Sequence, residues 1–246
     1  MSKPKAAIIL AAGKGKRMNS DLPKVLHEIN GRPILGILLD TLVPIGFERI
    51  CVVIGHEGEM VQKRLKGYPI TFAWQREQHG TGHAVMMTRE QMADFDGTTL
   101  VLLGDVPLLS RRSIELLLSV HEKTSAVATC LTTFLEDPTG YGRIVRGSGA
   151  SLQEIVEHKD ASDEIRKIRE INSGTFCFDN QSLFGVLDKL ENNNVQSEYY
   201  LTDTVKIFHD NGLRVSVAVT DDPDEVRGIN SVEQLDQLAT IFADRA

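Results

Sequence analysis

The sequence predicts an α/β fold built on a mostly parallel sheet with flanking helices. Three observations carry it: apolar runs of strand length, helical patterns between them, and a glycine loop directly after the first run. The first run, Ala6 to Leu10, passes into Ala11-Ala12-Gly13. Similar runs rich in β-branched residues span Arg49 to Ile54, Thr99 to Leu103 and Ala126 to Thr133. Their continuous hydrophobicity, without alternation, marks strands buried on both faces. Between them, a helix over Ile34 to Val43 follows Pro33, a second lies near Met60 to Leu65, and a third covers His83 to Met92. A fourth, Arg111 to Lys123, takes Ser110 as its N-cap. Strand and helix alternate, so this half is Rossmann-like. The loops after Leu10, Ile54 and Leu103 then share one rim, outside the carboxyl ends of the strands where such sheets bind ligands.

The second half changes character. Asp137 to Val145 reads as a turn into a strand, and Ile171 to Phe178 as another, giving a smaller mixed-sheet lobe. Helices follow near Gln181 to Leu190 and Leu201 to Asn211, then a strand from Arg214 to Val219. Ser231 with Gln234 three residues on is a capping-box pattern, so a last helix begins at Ser231 or Val232. The chain therefore divides into a first half over 1–135, a second half over 136–230 and a C-terminal helix over 231–246, all within a single domain. The softest boundary lies around Thr133 to Asp137.

Composition excludes several classes. No apolar run approaches the roughly 18 residues of a membrane span, and the short apolar stretch after the basic start runs into glycines and more basic residues, unlike a secretory signal. Cys51, Cys130 and Cys177 sit in apolar, strand-like surroundings without C-x-x-C spacing, which argues against disulfides and zinc and for a reducing cytoplasm. A net charge of −7 argues against broad nucleic-acid binding, which needs a basic face.

Any phosphate site must then be local. Lys14, Lys16, Arg17 and Lys24 crowd into a segment whose one acid is Asp21, and such a cluster can focus a polyphosphate into a cleft. A solvated basic loop is the alternative. The glycines weigh against it: Gly13 and Gly15 lack the Cβ that would keep main-chain N–H groups away from a phosphate. The dinucleotide fingerprint fails because Met18 stands where its third glycine belongs, and the Gly-Lys-Ser/Thr of a P-loop is absent. What remains is a glycine loop with Arg17, able to hold phosphate oxygens through two N–H groups, and Lys24, a mobile point charge. Asp105 ends a strand at the rim, where a metal-binding carboxylate belongs in this architecture, although an isolated Gly-Asp is commonly a turn or cap. The acids of Asp221 to Glu225 are a rival metal site, read here as a solvated surface turn.

Leu10-Ala11-Ala12-Gly13-x-Gly15-x-Arg17-Met18 with Pro23-Lys24 downstream resembles the signature of the sugar-nucleotide pyrophosphorylases. The likeness continues in order. It runs through Gln75, Gly80 to Ala84, Gly104 to Leu108, Thr139 to Ile144, Val156 to Ala161, Glu170 to Gly174, Asn192 to Asn194, Glu198 to Asp203 and Gly228 to Asn230. That series covers nearly the whole chain and is similar to the uridyltransferase domain of the bacterial bifunctional N-acetylglucosamine-1-phosphate uridyltransferases.

The resemblance implies a UDP-N-acetylglucosamine pyrophosphorylase that moves UMP from UTP to N-acetylglucosamine 1-phosphate and releases pyrophosphate. It implies Arg17, Lys24 and Asp105 as catalytic, and Mg2+ held by Asp105 and Asn230. Leu10, Ala11, Ala12, Gly13, Gly15 and Thr81 are implied at the nucleotide, with Gln75 and Gly80 hydrogen-bonded to uracil. Gly142, Glu157, Asn172 and Tyr200 are implied at the sugar, alongside Thr81. From the residues alone, Glu157 can instead pair with Lys159 or Arg143, and Tyr199 and Tyr200 can be core. Leu103 replaces a frequent aromatic, Ser173 a common threonine and Ser197 a frequent glycine, which bears on sugar preference rather than reaction type. The chain shows no hexapeptide period, so the expectation is a monomer or weak homo-oligomer without a β-helix trimer or acetyltransferase activity. Three other readings remain: transfer from another nucleoside triphosphate or to another sugar, a non-catalytic sugar-nucleotide sensor, and a glycosyltransferase using the 221–225 acids.

Overall fold

Both faces of the first strand are covered, and the residues show how. In the computed structural model, which describes residues 3–18, 20–147 and 151–245, β1 (Lys5–Leu10) sends Ala6 and Ile8 into one apolar layer and Ala7 and Ile9 into the other. Successive side chains of a strand point to opposite faces. A strand between two helical layers must therefore be apolar along its buried length, which is why these runs do not alternate.

The remaining elements follow in chain order. A short hairpin of β2 (Glu28–Ile29) and β3 (Arg32–Pro33) leads into α1 (Ile34–Leu42); then come β4 (Arg49–Ile54), α2 (Gly58–Arg64) and β5 (Thr71–Trp74). Next are α3 (Thr81–Met86), α4 (Arg89–Met92), β6 (Thr98–Leu103), α5 (Arg111–Thr124) and β7 (Ala128–Phe134). The second half supplies β8 (Arg143–Arg146), β9 (Leu152–Val156), α6 (Asp163–Arg166), β10 (Glu170–Asp179), α7 (Asn180–Val186), α8 (Asp203–Asp210), β11 (Val215–Val219) and α9 (Val232–Asp244). Ala246, the expected end of the last helix, lies outside the described residues.

The main sheet runs β11-β7-β10-β6-β1-β4-β5, parallel except for β10, which is antiparallel to both neighbours. The two halves are thus stitched together, since β10 enters the middle of the sheet and its far end carries the β8–β9 hairpin. Pairing of β10 with β7 shifts between Asn172 and Phe176, and this irregularity turns the segment toward the rim. Gly174 sits there at φ 78, where a Cβ would stand 2.4 Å from Leu103 Cδ1.

Two expectations are refined. The helix read over 83–92 is broken at Met87–Thr88, where Thr88 Oγ1 donates to Val85 O at 2.7 Å and competes with the helical ladder. At α9, Ser231 Oγ accepts from Gln234 N–H as a capping box requires, but Gln234 Oε1 reaches the Asn230 N–H, at 2.7 Å. That bond ties the last helix to a rim residue. Ser197 has φ 54, which accounts for the ease of glycine at this position.

Candidate active site

The rim collects the ends of β1, β4 and β6, where β1 lies between strands reached by opposite crossovers. Ala11 N–H extends the pairing of β1 by donating to Val53 O at 2.8 Å, after which the chain leaves the sheet through Gly13. A Cβ on Gly13 would meet nothing within 4 Å, so its bareness leaves space for a ligand rather than for the protein. Gly15 differs. It has φ 57, and a Cβ there would lie 2.8 Å from Lys24 Cβ, so this glycine makes room for Lys24.

Lys24 is the cation at the centre. Its ammonium pairs with Asp105 Oδ2 and reaches Asn230 Oδ1 at 3.1 Å. Asp105 follows β6, and Asn230 is brought beside it by Ile229 N–H donating to Asp105 O at 3.0 Å. Two accepting side-chain oxygens from distant parts of the chain therefore converge on one cationic position. The Arg17 side chain, exposed on the rim, makes no hydrogen bond or ion pair with another described residue. The expected basic cluster is split: Lys14 faces a separate hollow with His56, Trp74 and Arg76, and the Lys16 side chain lies outside the described set.

Two adjoining hollows meet at Leu10, Thr81, Leu103 and Asp105. The smaller, about 270 Å³, is lined by Leu10 to Gly13, Lys24, Gln75, Gly80 and Thr81. The larger, about 390 Å³, is lined by Arg17, Gly142, Glu157, Asn172 and Asn230 among others. Every site residue read from the sequence lines one or the other, except Gly15 and Tyr200. Tyr200 is buried, its hydroxyl donating to Asp160 Oδ2 at 3.2 Å and accepting from Gln196 Nε2 at 2.9 Å, and the structure does not bring it to the cleft wall.

The segment after Gly80 is clamped to the second half. Gly82 N–H donates to Tyr199 O at 2.7 Å, and Thr81 Oγ1 accepts from Leu201 N–H at 3.0 Å. Gly80 has φ 101, and a Cβ would stand 2.6 Å from Tyr199 O. On the sugar side, Glu157 Oε1 accepts from Thr202 Oγ1 at 3.0 Å, and burial raises its carboxyl above the usual range despite that bond. The alternative pairings do not form: Arg143 is engaged with the Tyr141 and Arg166 carbonyls, and Lys159 with Gln196. Asn172 Oδ1 accepts from Gly174 N–H at 2.8 Å and Cys130 Sγ at 3.2 Å, so Nδ2 is left to donate into the cleft.

The Asp221 to Glu225 segment is not wholly the solvated turn expected. Asp222 pairs with Arg245 and Asp224 with Arg227, while Glu225 is buried. Among the described residues no group of three or more His, Cys, Asp or Glu gathers to hold a metal ion, and no helix is long and apolar enough to cross a membrane. Cys51, Cys130 and Cys177 are free and buried, with burial pushing each thiol up. Thr202 and Leu103 were not singled out as site residues. Thr202 fell within a matched motif, whereas Leu103 stood out only by departing from one.

Comparison with known proteins adds to this geometry. A family model described as "MobA-like NTP transferase domain" matches residues 7–171. The "Bifunctional protein GlmU" of Bacillus cereus (strain G9842) is 46% identical over 239 residues, covering 97% of this chain and 52% of that protein. The protein of the same name from Bacillus thuringiensis (strain Al Hakam) matches at the same identity and coverage. The chain thus spans about half the length of these curated relatives. A solved structure of a UDP-glucose pyrophosphorylase complexed with UDP-glucose superposes with a TM-score of 0.77 at 15% identity, covering 99% of this chain and 100% of that one, which shows a shared fold.

Proposed function

The chain belongs to the family of MobA-like NTP transferase domains, and from that premise we propose that it transfers UMP from UTP to N-acetylglucosamine 1-phosphate with release of pyrophosphate. The observation that carries this reading is the meeting of two hollows at Asp105, one walled by the glycine loop and Gln75, the other by Glu157 and Asn172. The relatives named for bifunctional GlmU support the choice of sugar, and the three free, buried thiols fit work in a reducing cytoplasm.

Asp105 and Asn230 fit a magnesium ion, because their oxygens already converge on the Lys24 ammonium and magnesium takes few protein oxygens beside phosphate and water. When bound, it supplies charge neutralisation on the triphosphate. The chain's own residues do the rest. Arg17 and Lys24 stabilise the departing pyrophosphate, and the N–H groups of the 11–13 loop hold phosphate oxygens. Glu157 accepts from a sugar donor, and Asn172 Nδ2 donates to a sugar oxygen. An oxygen of the sugar phosphate, ionised at neutral pH, attacks the α-phosphorus in line. The new P–O bond forms as the bond to pyrophosphate breaks, and no general base is required.

A steady-state matrix of UTP against N-acetylglucosamine 1-phosphate tests direct transfer. Intersecting lines are expected; parallel lines, or a uridylyl group trapped on the protein, contradict it.

A further inference from the structure

Gln75 is 3% exposed, and both of its amide hydrogens are committed. Nε2 donates to Gly80 O at 3.0 Å and lies 3.0 Å from His83 Nδ1. A carbonyl oxygen only accepts, so the amide nitrogen, not its oxygen, faces Gly80. The second N–H needs an acceptor at His83, which an imidazole offers when that ring nitrogen is unprotonated. His83 belongs to α3 and stands edge-on to the His79 ring at a centroid distance of 5.1 Å, with Tyr199 on another side at 6.5 Å. Burial first, and then His79, hold the imidazole below its ordinary value, against the opposing pull of the Glu77 carbonyl and carboxylate.

Gln75 Oε1 has no hydrogen-bond partner among the described residues, and Gln75 lines the smaller hollow. An acceptor fixed in that place favours a base with a donor opposite it. Uracil presents N3–H, whereas cytosine presents a bare N3 acceptor. We propose, on the footing of the uridylyl-transfer reading, that His83 is a positioning residue for base selection. By taking the second Gln75 N–H, it holds the amide with its oxygen toward the base and so separates UTP from CTP. Without an acceptor at His83, the present orientation strands a buried N–H. The flipped orientation, which sets Oε1 against Gly80 O but offers two donors to the hollow, becomes competitive.

The test is kcat/KM for UTP and for CTP, with N-acetylglucosamine 1-phosphate as acceptor, in the full chain and two variants. His83→Phe keeps an aromatic ring against His79 and Tyr199 but has no acceptor. His83→Asn restores a side-chain acceptor near Nδ1. The expected result is a UTP/CTP ratio at least about tenfold lower in His83→Phe, equivalent to about 1.4 kcal/mol. The loss should fall on KM for UTP with kcat little changed, and His83→Asn should recover most of it. Equal losses for both nucleotides in His83→Phe, leaving the ratio at the wild-type value, would overturn the role of His83. If His83→Phe does not fold, His83→Leu takes its place, and a wild-type ratio there has the same force. Failure of the wild type to use UTP at all would strike the uridylyl reading instead, and the two failures are told apart by the wild-type rows of the assay.

Discussion

Lys24 and Asp105, 81 positions apart, meet as an ion pair whose ammonium also reaches Asn230 Oδ1 at 3.1 Å. Both side chains are about one-sixth exposed, at 15% and 16%. In that largely shielded place the lysine occupies the position on which the two oxygens converge, so binding of a divalent cation there requires the ammonium to move onto the phosphates. Asp105→Asn is expected to lower turnover by about 10²-fold or more and to raise the magnesium concentration at half-maximal rate. Lys24→Met should lower turnover by a comparable factor while the magnesium requirement stays at or below the wild-type value. Titration of pyrophosphate release against magnesium in both variants checks the pair.

Glu157 and Asn172 each present one remaining polar group to the larger hollow. Glu157→Gln and Asn172→Ala should raise KM for the sugar 1-phosphate by roughly tenfold, about 1.4 kcal/mol, and leave KM for UTP near its wild-type value. Initial rates with one substrate varied at a time separate the two. An equal rise in both KM values would place these residues outside sugar recognition.

Gly80 stands at φ 101 with Tyr199 O only 2.6 Å from where a Cβ would be. Gly80→Ala is therefore both strained and crowded against backbone, and should cost about 1 kcal/mol or more of stability. Chemical denaturation reads the stability, and UTP binding by calorimetry should weaken in parallel because the same turn walls the nucleotide hollow.

His121 supplies a pH dependence away from the cleft. It is buried, with Nδ1 2.9 Å from Thr129 Oγ1, and burial pulls it down to about 4. An unfolded chain protonates histidine near 6.5. The folded pKa is the lower one, so the neutral ring's contribution is complete above about pH 6.5 and is lost as pH falls toward about 4. His121→Asn, which does not titrate, should show a shallower loss of stability across that window, with a difference from wild type of up to about 3 kcal/mol. Parallel slopes would assign the acid sensitivity elsewhere.

How much of this was legible in the sequence depended on whether the signal was local. The strands at 5–10, 49–54 and 98–103 were legible because burial on both faces leaves a continuous apolar run after the polar residues at their starts. The hairpin of Glu28–Ile29 and Arg32–Pro33 was not, since two-residue strands have no period, and Thr71–Trp74 at the sheet edge is too short to declare itself. That Glu170–Asp179 lies antiparallel between β7 and β6 is a property of tertiary pairing, and no local pattern encodes a strand's neighbour. The glycine loop, Asp105 and Lys24 were visible through their chemistry. Asn230 entered the site only through resemblance, as a metal ligand, and its contact with the Lys24 ammonium, 206 positions away, appears only in the structure. Tyr200 illustrates the limit: an aromatic beside a polar motif reads equally as wall or core, and its hydroxyl bonds to Asp160 and Gln196 decide for a buried position.

The most direct measurement is pyrophosphate release from UTP by the wild-type chain, with and without magnesium, using N-acetylglucosamine 1-phosphate beside glucose and galactosamine 1-phosphates. The account predicts rapid, magnesium-dependent release that is fastest with N-acetylglucosamine 1-phosphate. Absence of release with all three sugars would contradict uridylyl transfer in this cleft.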